Sequence, residues 1–583
     1  MTENLRKPTN ADVAAIFQTI ADLLEIKGEN IYKILAYRKA ADSLNSLGRD
    51  VNELWREGEL QTIPGVGKAI AEKIDELLTT GRLRFLEELE SEVPLSLIDL
   101  LRVPDVGPKK AAMLWRQAGI SSLPELEAAA RAGKLRGLPG IGEKAEARIL
   151  SGIEALGRRT NRIPLGQAYP IAQQLREFLL GLPEVQAVEV GGSLRRMRAT
   201  VGDIDLVAAT ENPEPVMSAF VDHPLVTKIS AQGETKTSGE LRGGIPFQVW
   251  LHPPAEWGTA LQYAIGSKDH SVRLREIAQA RGLSLSDRAI IQPDGSETFY
   301  ATESELYAAL GLSWIPPELR EDRGEIQAAI QHTIPALIEV EDVIAELHCH
   351  STWSDGQVTI REMAEAARAR GYRVLAITDH SGSLGIAGGM NIETIRRQRA
   401  EIEQVQREMG DTLRLLQGVE VEILANGSLD YPDDVLASLD VVIASLHSGL
   451  RQPRAAVTGR LLAAMRNPHV DIIGHPTGRL IPDREGADLD MESLLATAQE
   501  TGVALEINAH PSRLDLDDIY ARRAKELGIP LSINTDAHAP DQLDVLFYGV
   551  ATARRGWLEP ANVINAWPVE RLLAWLNKRG NQG

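Results

Sequence analysis

The stretch AELHCHSTWSDG (345–356) decides the fold of the C-terminal half. It starts as an apolar strand over 345–350 and closes on His348-Cys349-His350, with Asp355 in the loop that follows. Residues two apart on a strand leave the same face, so His348 and His350 project together while Cys349 turns into the core. Outward from here the pattern repeats. Short apolar strands are expected at 373–379, 413–423, 441–447, 470–475, 504–508 and 530–535, and helical segments at 358–370, 391–409, 456–466, 489–501 and 515–527. Strand alternating with helix implies a parallel sheet, and seven units imply a barrel related to the eightfold one.

These strands end in metal-ligand types: Asp379-His380, then Glu420, His447, His475 and Asp536-Ala537-His538. The site of a parallel barrel lies at the C-terminal strand ends, so ligands distant in sequence converge on one rim. Imidazole mixed with carboxylate suits zinc, manganese or iron, and a thiolate set for a structural zinc is missing. A carboxylate such as Glu420 can bridge two ions. Clustered ions would clamp the attacking and leaving oxygens of a phosphodiester and supply hydroxide at neutral pH. A lone histidine is more often a core or surface residue, but accident is a poor explanation for five strands that end in ligand types. His469 and His510 fall off the pattern and read as structural.

The successive phrases HCHSTWSDG, ITDHS, GVEVEI, SLHSG, GHPTGR and NTDAHA resemble the motifs of the PHP (polymerase and histidinol phosphatase) domain, over essentially all of 343–575. The resemblance implies up to three ions, manganese or zinc. The first is held by His348, His350, Glu420 and Asp536, the second by Glu420, His447 and His475, and the third by Asp355, His380 and His538. Arg479 is placed to meet a substrate phosphate.

A second signal is GGSLRRMRATVGDIDLV (191–207). Asp203 and Asp205 are two apart on a strand, the arrangement by which a nucleotidyltransferase holds two magnesium or manganese ions. Gly192 and Ser193 would wrap an incoming triphosphate, with Arg196 in contact. Strands are expected at 185–193, 202–210 and 245–251, and 258–315 reads as mixed helix and strand. The Pro-rich, then charged stretch 315–327 reads as a linker.

Upstream, residues 11–47 read as two helices broken at Lys27-Gly28. One phrase then recurs at 60–74, 101–114 and 135–150: an apolar residue, Pro, two residues, Gly, a polar pair, and a helix. This is the spacing of a helix-hairpin-helix, whose Gly turn opens a helix with free N–H groups for a phosphate. Gly65, Gly67, Gly107, Gly140 and Gly142 are the candidate DNA-backbone contacts. Asp105 stands where the other copies have Gly65 and Gly140, and its charge would repel phosphate.

Residues 1–315 resemble a family X DNA polymerase, through AYRKAA (36–41), IPGVGKAIAEKIDELL (63–78), the GS…GDID palm and LQYAIGSKDH (261–270), which adds Tyr263 and Gly266 to the nucleotide pocket. With the C-terminal domain, the chain resembles a bacterial family X polymerase fused to a PHP domain. That implies base-excision repair, gap filling on gapped or primer-template DNA with dNTPs, a 3′–5′ exonuclease and, in some members, an apurinic endonuclease. Lys73 matches the family's Schiff-base lysine, and a solvated helix lysine fits the sequence equally well. The chain departs from the family at the third palm carboxylate. FQVWLHPPAEWG has Gln248 there, with no acidic residue from Leu241 to Pro254. Ala264 replaces an aromatic, and Ser271 stands for an asparagine. A neutral amide neither balances two ions nor accepts a proton from a primer hydroxyl, so weak or lost templated synthesis is expected.

The expected fold is multidomain. A helical helix-hairpin-helix region (1–90, 91–160) precedes an α/β nucleotidyltransferase palm (161–254) with a thumb (255–316). A linker (317–342) leads to a distorted (β/α)7 PHP barrel (343–575). Its 583 residues exceed one core. The net charge of -20 argues against a general basic binder, but residues 1–160 are close to balance. A single cysteine excludes an internal disulfide, and neither a signal peptide nor a membrane span is read, so a cytoplasmic, nucleoid-associated monomer is expected. A histidinol-phosphatase-type phosphomonoesterase and a non-catalytic DNA scaffold are the competing readings. The hairpins weigh against the first and the full ligand set against the second.

Overall fold

Seven parallel strands form the C-terminal sheet in strict chain order. The computed structural model describes residues 8, 10–45, 51–63, 65–101, 103, 106–160 and 162–580. Its two compact units comprise residues 1–161 with 385–388, and 162–384 with 389–583.

In the first unit, helices Asn10–Lys27 and Ile31–Asn45 meet at Gly28, whose φ of +87° lets the chain reverse. Helices Lys68–Thr80, Pro108–Ala118 and Glu143–Thr160 each begin immediately after the last glycine of a repeated phrase, Gly67, Gly107 or Gly142. Asp105 lies outside the described residues.

The palm carries β1 (Val185–Val190), β2 (Ile204–Thr210), β3 (Val226–Gln232), β4 (Lys236–Leu241) and β5 (Ile245–His252) in the order β1-β2-β5-β4-β3. Only β2 and β5 run parallel. β3 and β4 were not expected from sequence. Their sequences, VTKISAQ and KTSGEL, are polar because one sheet face is open to water. β2 is buried along its whole length and lies between β1 and β5, which fixes Asp205 beside β5.

The stretch 317–342, expected to be a linker, is packed structure. Leu319, Ile326, Ala329 and Leu337 share a core with Leu274, Leu306 and Tyr307 of the thumb. Arg320 is fully buried and bonds Glu303 and the Ile315 carbonyl. Glu325 meets His270 at 2.7 Å, and His270 meets the Tyr307 hydroxyl at 2.8 Å. Charge that reads as solvated in sequence is paired here with residues far along the chain, as buried charge must be.

The barrel strands are β6 (Ala345–Cys349), β7 (Val374–Ile377), β8 (Arg414–Glu422), β9 (Val441–Ser445), β10 (Ile472–Ile473), β11 (Ala504–Asn508) and β12 (Leu531–Asn534). Nearly every residue in them is buried, as in a sheet covered on both faces. A parallel bridge between Cys349 and Ala537 almost closes the ring. Helices lie between strands. The one at Ile360–Ala369 opens with a capping box between Thr359 and Glu362.

Palm, thumb and barrel join through a shared interior. Leu514 and Tyr548 of the barrel pack into the palm core beside Leu165, Ala168 and Ala172, and Phe547 lies 5.1 Å from Tyr169. A Cβ at Gly166 would come within 2.7 Å of Pro511, so the approach requires glycine. Arg555, at the end of helix Leu546–Arg555, donates to the Arg196 carbonyl (2.6 Å), to Glu321 (3.1 Å) and to Asp518 (2.9 Å).

Candidate metal centre and palm site

The strand-end residues of the barrel converge as expected. Three sets of side chains bring their ligand atoms within 4.8 Å of one another: His348, His350, Glu420 and Asp536; His380, Glu420 and His447; and His350, Asp355, His380 and His538. The first is the set expected from sequence. In the second, His380 stands where His475 was expected. His475 instead points Nε2 at the Glu420 Oε1 oxygen from 2.9 Å. In the third, His350 joins the three expected residues. Glu420 is central, with His380 Nδ1 at 2.9 Å, His447 Nε2 at 3.3 Å and His348 Nε2 at 3.4 Å. Asp355 lies 3.2 Å from His538 and 3.5 Å from His380.

Several buried atoms test whether the residues suit metal ions. His348 Nε2, His350 Nδ1, His380 Nδ1 and Glu420 Oε2 are buried and have no hydrogen-bond partner among the described residues. Such a cluster is costly unless cations fill it, and a mixed imidazole and carboxylate set is what divalent ions take. Burial would raise Glu420, but His447, His348 and His380 hold its carboxyl well below the usual range, so it is ionised. Burial, then His380 and His538, push His350 down to about 3, which leaves the neutral imidazole that ligation requires.

Outer residues orient the ligands. Glu506 accepts from His348 Nδ1 (2.7 Å) and from the His475 amide (2.7 Å). Glu422 accepts from His447 Nδ1 (2.7 Å), and the Asp536 carbonyl accepts from His538 Nδ1 (2.8 Å). In each case Nε2, the atom that would meet an ion, is left facing the cluster. Asn508 donates to Asp536 at 3.1 Å. Sequence reasoning passed over Glu422 and Glu506, although a carboxylate inside the apolar strands VEVE and ALEIN was itself a signal. His475 and Asp536 hold positive φ (26° and 55°), a strained backbone that only a determined surrounding keeps. Gly356 lets the Asp355 loop fold onto His350, whose backbone would lie 2.6 Å from a Cβ there.

Arg479, expected at a substrate phosphate, is tied down elsewhere. It donates to the Arg513 and Leu514 carbonyls and faces Asp517 at 3.8 Å. The arginine at the metal cluster is Arg513, with Nε 3.5 Å from Asp536. His510 bonds Ser512, which accords with a structural role, and Cys349 is buried with Sγ against the Ala376 carbonyl.

In the palm, Asp205 pairs in register with Gln248, and Gln248 Nε2 donates to Asp203 at 3.2 Å. The amide therefore lies beside both aspartates and binds one of them. Burial, then Asp203, push Asp205 up to about 7. Gly192 has φ +57°, and a Cβ there would strike the Asp205 carboxylate. Ser193 is half-buried and Tyr263 is 48% exposed. Arg196, expected at a triphosphate, instead bonds the Ile265 carbonyl and Glu321 and lies against Gly266. Lys73 is half-buried, over the Phe85 ring at 5.0 Å.

No described helix is long and apolar enough to cross a membrane. Four family models match: a helix-hairpin-helix domain over residues 8–83, a SAM-like helix-hairpin-helix tandem over 97–155, the DNA polymerase beta thumb over 260–321 and the PHP domain over 346–510. The chain is 40% identical to a Bacillus subtilis protein named DNA polymerase/3′-5′ exonuclease PolX, over 97% of this chain and 99% of that one. It is 24% identical to rat DNA polymerase lambda over 54% of this chain and 56% of the other. It is 34% identical to a probable phosphatase of a Thermoanaerobacter species over 34% of this chain and 79% of the other. A relative matched along nearly all of both lengths, together with the thumb and PHP models on this chain, shows that the chain belongs to the family X DNA polymerases that carry a C-terminal PHP domain.

Proposed function

We propose that the chain is a DNA repair enzyme whose PHP barrel removes nucleotides from DNA 3′ ends, on a polymerase scaffold in which templated synthesis is weak. The observation that carries the reading is the convergence of nine ligand-type side chains, Glu420 at their centre, in a chain that also bears helix-hairpin-helix domains. Bound divalent ions, manganese or zinc in the barrel and magnesium or manganese in the palm, would supply hydroxide at neutral pH and offset charge on phosphoryl oxygens. The chain's own residues position that chemistry. Glu506 and Glu422 hold His348 and His447 in one tautomer, and the neutral His350 and ionised Glu420 present lone pairs to cations.

In this reading Gly65, Gly67, Gly107, Gly140 and Gly142 open helices toward the DNA backbone. Gapped or primer-template DNA and dNTPs are the partners, and the protein works as a cytoplasmic, nucleoid-associated monomer. The domain limits are those set out from the sequence, with 317–342 added to the thumb. Gln248 lowers synthesis because an amide cannot carry the missing charge. The test is one set of incubations with manganese: 3′-labelled DNA, 5′-labelled DNA and a phosphomonoester. Stepwise loss from the 3′ end is expected. Turnover of the monoester alone would assign a phosphatase, the reading to which the similarity with probable phosphatases points.

A further inference from the structure

Three consecutive loops at the C-terminal ends of the barrel strands each carry an arginine, and one of these, Arg513, reaches the metal cluster. Arg451 lies in the loop after β9, Arg484 in the loop after β10 and Arg513 in the loop after β11. The loops touch. Leu450, next to Arg451, packs so closely on Gly478 that a Cβ there would meet it at 3.0 Å. Leu480 and Arg484 exchange backbone hydrogen bonds of 2.8 and 2.6 Å, closing a tight hairpin, and the Ile481 amide donates to the Ser512 carbonyl at 2.5 Å. Among the described residues, the Arg484 guanidinium donates to the Gly478 carbonyl alone, at 2.7 and 3.1 Å. Arg451 is exposed. Among the described residues, neither pairs with a carboxylate. The one ion pair of Arg513 is with Asp536, inside the metal cluster. Burial, then the charges of Arg513 and Arg451, hold the Arg484 guanidinium below its ordinary value, which is the electrostatic trace of three neighbouring cations.

Arg451 and Arg484, without a carboxylate partner among the described residues and on loops that touch the loop of Arg513, leave a positive patch in a chain of net charge -20, and such a patch suits an anion. Planar guanidinium donors match phosphate oxygens. We propose that Arg451, Arg484 and Arg513 form a subsite for the phosphodiester backbone of a DNA strand, holding the phosphates next to the one that meets the metal cluster. The proposal rests on the nuclease reading of that cluster, and it would give the barrel a preference for a strand over a small phosphate ester.

The test uses the full chain with manganese. Hydrolysis of bis(p-nitrophenyl) phosphate is followed while a DNA trinucleotide competes, at several salt concentrations. The variant is Arg451→Ala/Arg484→Ala, with Arg513 kept because it touches Asp536. The trinucleotide Ki is expected to rise about tenfold. The slope of log Ki against log salt should fall by about 0.7, the value for the one single-strand phosphate of the trinucleotide that no longer meets an arginine. KM for the small diester should stay as it was, since it has no second phosphate to hold. Arg451→Lys/Arg484→Lys should restore the slope. An unchanged Ki and slope would overturn the proposal, and so would equal damage to small-diester turnover, which would place the arginines in the support of the metal cluster. If 3′-labelled DNA survives the parent enzyme while the trinucleotide still competes through the arginines, the exonuclease reading falls and the subsite stands.

Discussion

The barrel and the palm face the same task, holding divalent ions against phosphate oxygens, and they are built to different completeness. Around Glu420 every ligand has an outer partner that orients it or a cluster neighbour that completes it. Around Asp205 one position is occupied by an amide that bonds Asp203 instead of adding charge. Asp205 is pushed up to about 7 where Glu420 is held well below its usual range. The difference lies in the neighbours. Histidines compensate the burial of Glu420, whereas Asp203 aggravates that of Asp205.

Experiments can break or sharpen this contrast. The largest effect should come from Glu420→Gln, which removes the shared carboxylate: 3′ nuclease rate should fall on the order of 10³-fold with primer extension unchanged. A nuclease that tolerates the change would show that the cluster is not the site. Next is Gln248→Asp, which should raise primer extension with magnesium by about 10²-fold, read on a gapped template. No gain would mean that Gln248 is not what limits the palm. Glu506→Gln should weaken manganese binding or nuclease turnover by roughly 10–100-fold, measured by metal titration, because His348 loses its anchor.

The smallest effect concerns the junction that both sites share. Burial would raise Asp518, but Arg555 and Arg323 hold it below the ordinary carboxylate value. A depressed folded-state value stabilises the fold above the unfolded value, near 3.9, and that stability is lost as pH falls through the folded one. Asp518→Asn should therefore cost about 1–3 kcal/mol at pH 7 in denaturant unfolding, and the gap between variant and parent should close below about pH 4.

The barrel was legible because its information is local. Seven apolar strands, most of them carrying His, Asp or Glu at or near their ends, hold both the topology and the ligands within short phrases, and even the inward turn of Cys349 follows from alternation. The palm was half legible. GDID and VQAVEV announce buried strands, whereas β3 and β4 are polar and half-solvated, so their pairing carries no apolar signal. The stretch 317–342 misled because Arg320 and Glu325 find Glu303 and His270, pairs that exist only in three dimensions. Arg479 misled in the same way. Its phrase lies beside a ligand, but its guanidinium turns to backbone carbonyls, and Arg513 from the next loop takes the place at Asp536.

The shared interior of palm and barrel bears on how the molecule is cut for experiments. Leu514 and Tyr548 are barrel residues by sequence and palm residues by packing, and Arg555 satisfies a carbonyl of the palm. An interface of this kind is closer to a core than to a hinge between independent domains. A fragment that begins at the barrel would expose those side chains to water and strand the Arg196 carbonyl in the remaining half. Activities measured on such pieces report on surfaces the intact chain never presents, so point variants in the full-length protein are the sound way to assign work to each half.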